Sequence, residues 1–132
     1  EVHPPPRLLP ILERAKESYK KWCFALRNIP RVERFGIGSR IDQLWLELLE
    51  LIRRAAYTSL EGKVAVLDRA SDTLDALRFF FQLAWETKLI PTEQYIPLGS
   101  DIEDIGRMLG GWRKGILKKL DPTEKWGRER QE

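Results

Sequence analysis

Four stretches of this chain place apolar residues alternately three and four positions apart, and that spacing constrains the fold more than any other feature. The first seam reads Leu12, Ala15, Tyr19, Trp22, Leu26, Ile29, and the second Ile37, Ile41, Leu44, Leu48, Leu51, Ala55. The third reads Leu67, Ala70, Leu74, Leu77, Phe81, Ala84, and the fourth Leu98, Ile102, Ile105, Leu109, Trp112, Ile116. Such spacing gathers a stripe on one side of a helix. No stretch sustains the period-two alternation of a half-buried strand, so no sheet is expected.

Helix breakers separate the seams. Pro30 closes the first helix and tolerates the start of a second near Arg31, because its missing N–H would be unpaired there anyway. The third helix is expected from about Lys63 to Lys88. After Pro91, Pro97 and Gly99 interrupt the pattern, and Ser100-x-x-Glu103 supplies a capping box. The main fourth helix is therefore expected from near Ser100, joined through a kink at Pro97 to a short helical piece over 92–96, and ended by Asp121-Pro122. Short links between four amphipathic helices imply an all-α fold, an antiparallel up-down-up-down four-helix bundle over residues 11–121. Pro4-Pro5-Pro6 marks residues 1–10 as an extended proline-rich leader, and residues 122–132 read as a charged flexible tail.

At 132 residues and 15.5 kDa the chain is long enough for one domain whose core needs neither disulfide nor metal. Cys23 is the single cysteine, which fits a reducing, cytoplasmic setting. No apolar run approaches the roughly 20 residues that span a bilayer, and no secretory pattern is present, so neither membrane insertion nor export is expected. The net charge of +3 hides segregation. Residues 1–60 carry 11 basic and 7 acidic side chains, residues 61–105 carry 4 and 9, and residues 106–132 carry 8 and 4. Basic ends around an acidic middle can guide nucleic acid to one surface or pair subunits by opposite charge. Solvated helix faces produce the same pattern.

A second apolar stripe bears on assembly. Stepping 100° per residue places Ala76, Phe79, Leu83 and Ile90 roughly opposite the third seam, and Leu46, Leu49 and Ala56 away from the second. A monomer should not expose a continuous row of this kind, so a homo-oligomer interface through these residues is expected. The alternative is a splayed bundle that buries these flanks itself.

The only histidine, His3, lies in the leader, which leaves the bundle without a histidine base, triad or metal ligand. Glu47, Glu50, Glu103 and Asp104 lack the Glu-x-x-His pairs of a di-iron bundle. No metal and no cofactor is expected, and these acids read as solvated faces or inter-helix salt bridges. Gly36-Ile37-Gly38-Ser39-Arg40 follows no strand and has neither a third glycine nor a Gly-Lys-Ser/Thr ending, so it reads as a close approach rather than a phosphate loop. The basic residues give a better lead, since phosphate is the natural partner of clustered cations. Arg107, Arg113, Lys114, Lys118 and Lys119 lie on the fourth helix, and Arg31, Arg34, Arg40, Arg53 and Arg54 on the second. Arg78, amid Leu77-Arg78-Phe79-Phe80-Phe81, reads as an interface salt-bridge donor or a ligand contact. Trp22, Trp85 and Trp112 lie on or beside seams and read as core, with Trp45 and Trp126 more open. Gly106, Gly110 and Gly111 stand on the fourth helix although each glycine there costs about 1 kcal/mol relative to alanine, which suggests tight helix contact beside Trp112.

Ile29-Pro30-Arg31 with Arg34-Phe35, Leu77-Arg78-Phe79, and the string from Glu103 through Gly106-Arg107-Met108-Leu109-Gly110-Gly111 to Trp112 together resemble the Avd-type four-helix-bundle family. That family contains the accessory variability determinants of diversity-generating retroelements and relatives encoded in ribosomal RNA intervening sequences. The resemblance covers about residues 12–119. It implies a non-enzymatic, basic, barrel-like homopentamer that binds the element's reverse transcriptase and its template RNA or RNA/DNA hybrid, supporting mutagenic retrohoming at adenines. Catalysis would belong to the polymerase. Arg78 and Arg107 are the matched cations expected to contact RNA or polymerase, with Gly106, Gly110, Gly111 and Trp112 structural. The intervening-sequence branch would imply instead a structural homo-oligomer with no polymerase partner.

Overall fold

The computed structural model describes residues 10–121. Each seam lies mainly on one long helix, α1 (Pro10–Leu26), α3 (Ser39–Tyr57), α4 (Leu60–Glu86) or α5 (Thr92–Leu120), with Ile29 of the first seam and Ile37 of the second falling outside α1 and α3. A three-residue turn, α2 (Arg31–Glu33), leads through a π-helical turn at Arg34–Gly38 into α3. No strand occurs among the described residues. α1 packs on α3 and α5, and α4 packs on the same two helices, so α1 and α4 lie across the bundle from each other. The leader and tail, including His3 and Trp126, lie outside the described residues apart from Pro10. That proline is the first residue of α1, a position that needs no N–H donor.

All six positions of the third seam are buried, as are five of six on the fourth, where Trp112 is partly covered. Trp22 meets Phe81 edge-on at 6.2 Å between ring centroids, joining α1 to α4 in the centre of the core. Three expectations fail here. Trp85, read as core, is 36% exposed. Trp45, read as open, is 0% exposed, because α3 is flanked by both α1 and α4 and so buries a stripe wider than its seam. Its indole Nε1 has no hydrogen-bond partner. The expected helical piece over 92–96 is present, but the main helix does not start anew at Ser100: α5 runs unbroken from Thr92 through Pro97, and Ser100 lies inside it.

Local chemistry explains the earlier start. Pro91 is extended, and its carbonyl accepts from the N–H groups of Gln94 and Tyr95, which opens the helix there. Pro97 forfeits only the bond that its own N–H would have made to the Glu93 carbonyl, and Glu93 is solvent-exposed. The first turns are held meanwhile by Tyr95, which stacks on Trp85 at 4.6 Å and on Phe81 at 5.2 Å.

Candidate nucleic-acid interface

Where the cations stand depends on what already neutralises them. On α3, the Arg53 guanidinium donates to Glu50 at 2.5 and 3.1 Å, and Arg54 approaches the same carboxylate at 3.7 Å. On α4, Arg78 bridges Asp75 and Glu103 of α5, each at 2.7 Å. Burial pulls the Arg78 pKa down, but the hydrogen bonds and charges of the two carboxylates outweigh it and the group is held above its ordinary value. Arg107 pairs with Asp104, and Arg113 with Asp68 of α4 at 2.6 Å. Arg78 thus has two carboxylate partners within its own chain, one on its own helix and one on α5.

The remaining candidates are less committed. Arg40 sits over the Phe80 ring at 5.8 Å, a cation–π contact between α3 and α4. Arg34, Lys114, Lys118 and Lys119 form no ion pair with another described residue. Lys114, Lys118 and Lys119 occupy the exposed final turns of α5, where positive charge also complements the helix dipole.

Two polar clusters were not apparent from sequence. Asp101 of α5, buried at the α1 interface, receives Arg14 Nη2 at 2.9 Å, Lys21 Nζ at 3.0 Å and Ser18 Oγ at 2.9 Å. The Ser18 hydroxyl also lies 2.9 Å from the Arg14 carbonyl, so its one proton is shared between two acceptors. Burial raises the Asp101 pKa, but the hydrogen bonds from Lys21, Ser18 and Arg14 together overcome it and leave the carboxyl below its ordinary value. Arg14 continues to Asp104 at 2.8 Å, and Asp104 to Arg107. In the second cluster, Asp42 Oδ1 accepts from the Tyr19 hydroxyl at 3.0 Å and the Trp22 indole at 3.2 Å. Desolvation, then hydrogen bonding with Cys23 and Asp42, pushes the Tyr19 hydroxyl pKa up.

The apolar and glycine candidates divide. Phe79 is 62% exposed and Leu46 47%, while Ala76, Leu83 and Leu49 are half-buried. Ile90 departs from expectation: at 1% exposed it belongs to the core, because the chain folds back at the end of α4 and turns it inward. Leu46 and Leu49 line a groove of 640 Å³ with Leu12 and Lys16 of α1 and with Tyr57, whereas Phe79 packs edge-on against its neighbour Phe80. A Cβ on Gly106 would lie 3.3 Å from Leu74 Cδ2 and 3.4 Å from Arg78 Nη2, a close helix approach. Gly110 and Gly111 face open space, so the tight contact expected of them is absent. Trp112 packs on the core edge under Lys63, whose Nζ lies 5.7 Å from the ring and donates to the Ala55 carbonyl at 2.6 Å, closing the end of α3. No three His, Cys, Asp or Glu side chains among the described residues are placed to hold a metal ion, and no described helix is long and apolar enough to cross a membrane.

The model of the bAvd-like family matches residues 10–116, from the first residue of α1 to Ile116, the last buried residue of α5. This chain belongs to the bAvd-like family. No curated protein sequence matches it. The bAvd-like match takes in Arg34, Arg40, Arg78, Arg107 and the glycine string, and stops short of Lys118 and Lys119.

Proposed function

We propose that this bAvd-like chain is a non-enzymatic accessory protein of a diversity-generating retroelement, binding the element's reverse transcriptase and its template RNA or RNA/DNA hybrid to support mutagenic retrohoming. Family membership over nearly all of the helical bundle carries this reading. Uncommitted cations at the end of α5 and at the turn before α3 supply the phosphate-attracting charge it needs. The chain acts in the cytoplasm as a homopentamer of up-down-up-down antiparallel bundles. Cross-helix pairs support that topology, since Arg78 meets Glu103 while Arg113 meets Asp68, the numbering rising on one helix as it falls on the other.

Binding to single-stranded RNA over a salt series tests the reading. Each phosphate neutralised contributes about −0.7 to the log–log slope on a single strand. Combined Lys114→Gln, Lys118→Gln and Lys119→Gln should therefore make the slope shallower by about 2. A flat salt response overturns phosphate recognition. A second reading, the purely structural oligomer of the intervening-sequence type, is favoured by one observation: Arg53, Arg54, Arg78, Arg107 and Arg113 each have a carboxylate partner within the chain. A reverse transcriptase gene beside paired variable and template repeats separates the two in favour of the accessory role.

A further inference from the structure

Between α1 and α3 the chain makes a basic, aromatic corner that the fold itself does not use. Arg31, Arg34 and Phe35 stand at i, i+3 and i+4 and so share one face of the short helical turn. Together with Leu26, Ser39 and Asp42 they line a cleft of 390 Å³. Phe35 is 76% exposed and the neighbouring Val32 81%, a concentration of apolar surface with no packing role in the chain. Neither Arg31 nor Arg34 forms an ion pair with another described residue. Asp42, the one acid in the cleft lining, accepts from Tyr19 and Trp22 on its core side. Residues 27–42 hold four arginines against Glu33 and Asp42, so the corner keeps a net positive charge that attracts phosphate.

The turn is built to protrude. At Gly36 the backbone leaves helical geometry, with φ −95° and ψ −109°, before α3 begins. Gly38 then tucks under α1, where an added Cβ would lie 3.2 Å from Leu26 Cδ1 and 3.3 Å from the Glu33 carbonyl. A buried glycine after the kink thus anchors the turn, and the residues before it project Arg31, Arg34 and Phe35 into the cleft mouth.

We propose that this corner is a subsite for single-stranded nucleic acid, in which one unpaired base stacks on the Phe35 ring and the flanking phosphates are held by Arg31 and Arg34. A duplex keeps its bases stacked on each other and leaves none for the ring, so the site selects single strands. The inference rests on the RNA-binding reading above and adds the place and the form of the strand recognised.

The test uses the full chain, a labelled single-stranded oligouridylate of about 12 nucleotides, and an RNA duplex of equal length. Phe35→Ala should weaken oligouridylate binding by about five-fold or more while leaving duplex affinity unchanged. Phe35→Leu, which retains apolar bulk, should fall with it, and Phe35→Trp should bind at least as tightly as the parent. Arg31→Gln with Arg34→Gln should make the oligouridylate salt slope shallower by about 1 to 2. Parent-like affinity in both Phe35→Ala and Phe35→Leu overturns the subsite alone, and so does equal weakening toward single strand and duplex. Loss of reverse transcriptase capture with RNA binding intact would make the occupant a protein and overturn it too. A parent chain that binds no oligouridylate at all overturns both this inference and the RNA reading beneath it.

Discussion

Asp101 is a carboxylate that the fold both buries and satisfies, and the balance between these effects is open to measurement. Three donors converge on it, two of them cationic and half-exposed at their far ends. Its pKa lies below the ordinary 3.8, so the sign of the linkage follows directly. The stabilisation is complete above the unfolded value and is lost as pH falls through the lower folded value. Asp101→Asn should therefore cost about 2 kcal/mol at neutral pH, and the gap to the parent should narrow below about pH 4. Urea unfolding at pH 7 and pH 3 checks this, and an equal gap at both pH values would remove the ionic account. The glycine string supports a second contrast. Gly110→Ala should stabilise by about 1 kcal/mol, since it gains helix propensity in open space. Gly106→Ala carries the same propensity gain but presses on Leu74 and Arg78, so its melting temperature should fall short of the Gly110→Ala variant by about 4 °C. Equal gains would show that helix α5 does not need the small residue at 106.

At the scale of elements, the end of α4 shows how local chemistry sets a boundary. Lys88 has φ 66°, the left-handed region, and its N–H donates to the Trp85 carbonyl while that of Leu89 donates to Ala84. This is the Schellman arrangement with lysine where glycine is usual. Lys88→Gly should raise stability by about 0.5–1 kcal/mol, the relief of a left-handed side chain exceeding the added freedom of the unfolded chain. Thermal unfolding checks it, and a loss of stability would mean that Lys88 contributes through its side chain. The helices were legible because a seam needs only one element's own spacing, and the third seam is buried at every expected position. Trp45 departs from its reading because burial on α3 is set by two flanking helices, and α5 is one helix rather than two pieces because Pro97 costs a single exposed hydrogen bond while Tyr95 holds the first turns against Trp85 and Phe81. The candidate cations were legible as residue types but not as free charges. Glu50 and Arg53 are three residues apart and visible in sequence, whereas Arg113 finds Asp68 at a separation of 45 and Arg14 finds Asp101 at 87. Such pairings exist only after the helices pack.

For the whole molecule, the decisive quantity is how exposed apolar surface is distributed around the bundle. Phe79 projects from α4, while the groove bearing Leu46 and Leu49 opens between α1 and α3. Because α1 and α4 lie across the bundle from one another, these are two unlike patches on different sides. A two-fold dimer joins a patch to itself, whereas unlike patches join head to tail and close into a ring when the rotation permits. The proposed oligomer is therefore expected to seat Phe79 of one subunit in the Leu46 groove of the next, with a mass by light scattering of about five times 15.5 kDa. Both side chains are exposed in the monomer, so charging either should change folding stability by no more than about 0.5 kcal/mol. Phe79→Glu retains an intact groove and Leu46→Glu an intact projecting ring, and each alone should be monomeric. Mixed in equal amounts, they can form one productive contact, from Phe79 of the Leu46→Glu subunit into the groove of the Phe79→Glu subunit, and no second. The mixture should stop at a heterodimer. A full ring from the mixture, or a parent mass of 15.5 kDa, would overturn the head-to-tail arrangement. A mixture that stays monomeric while the parent assembles would place the contact on residues other than these.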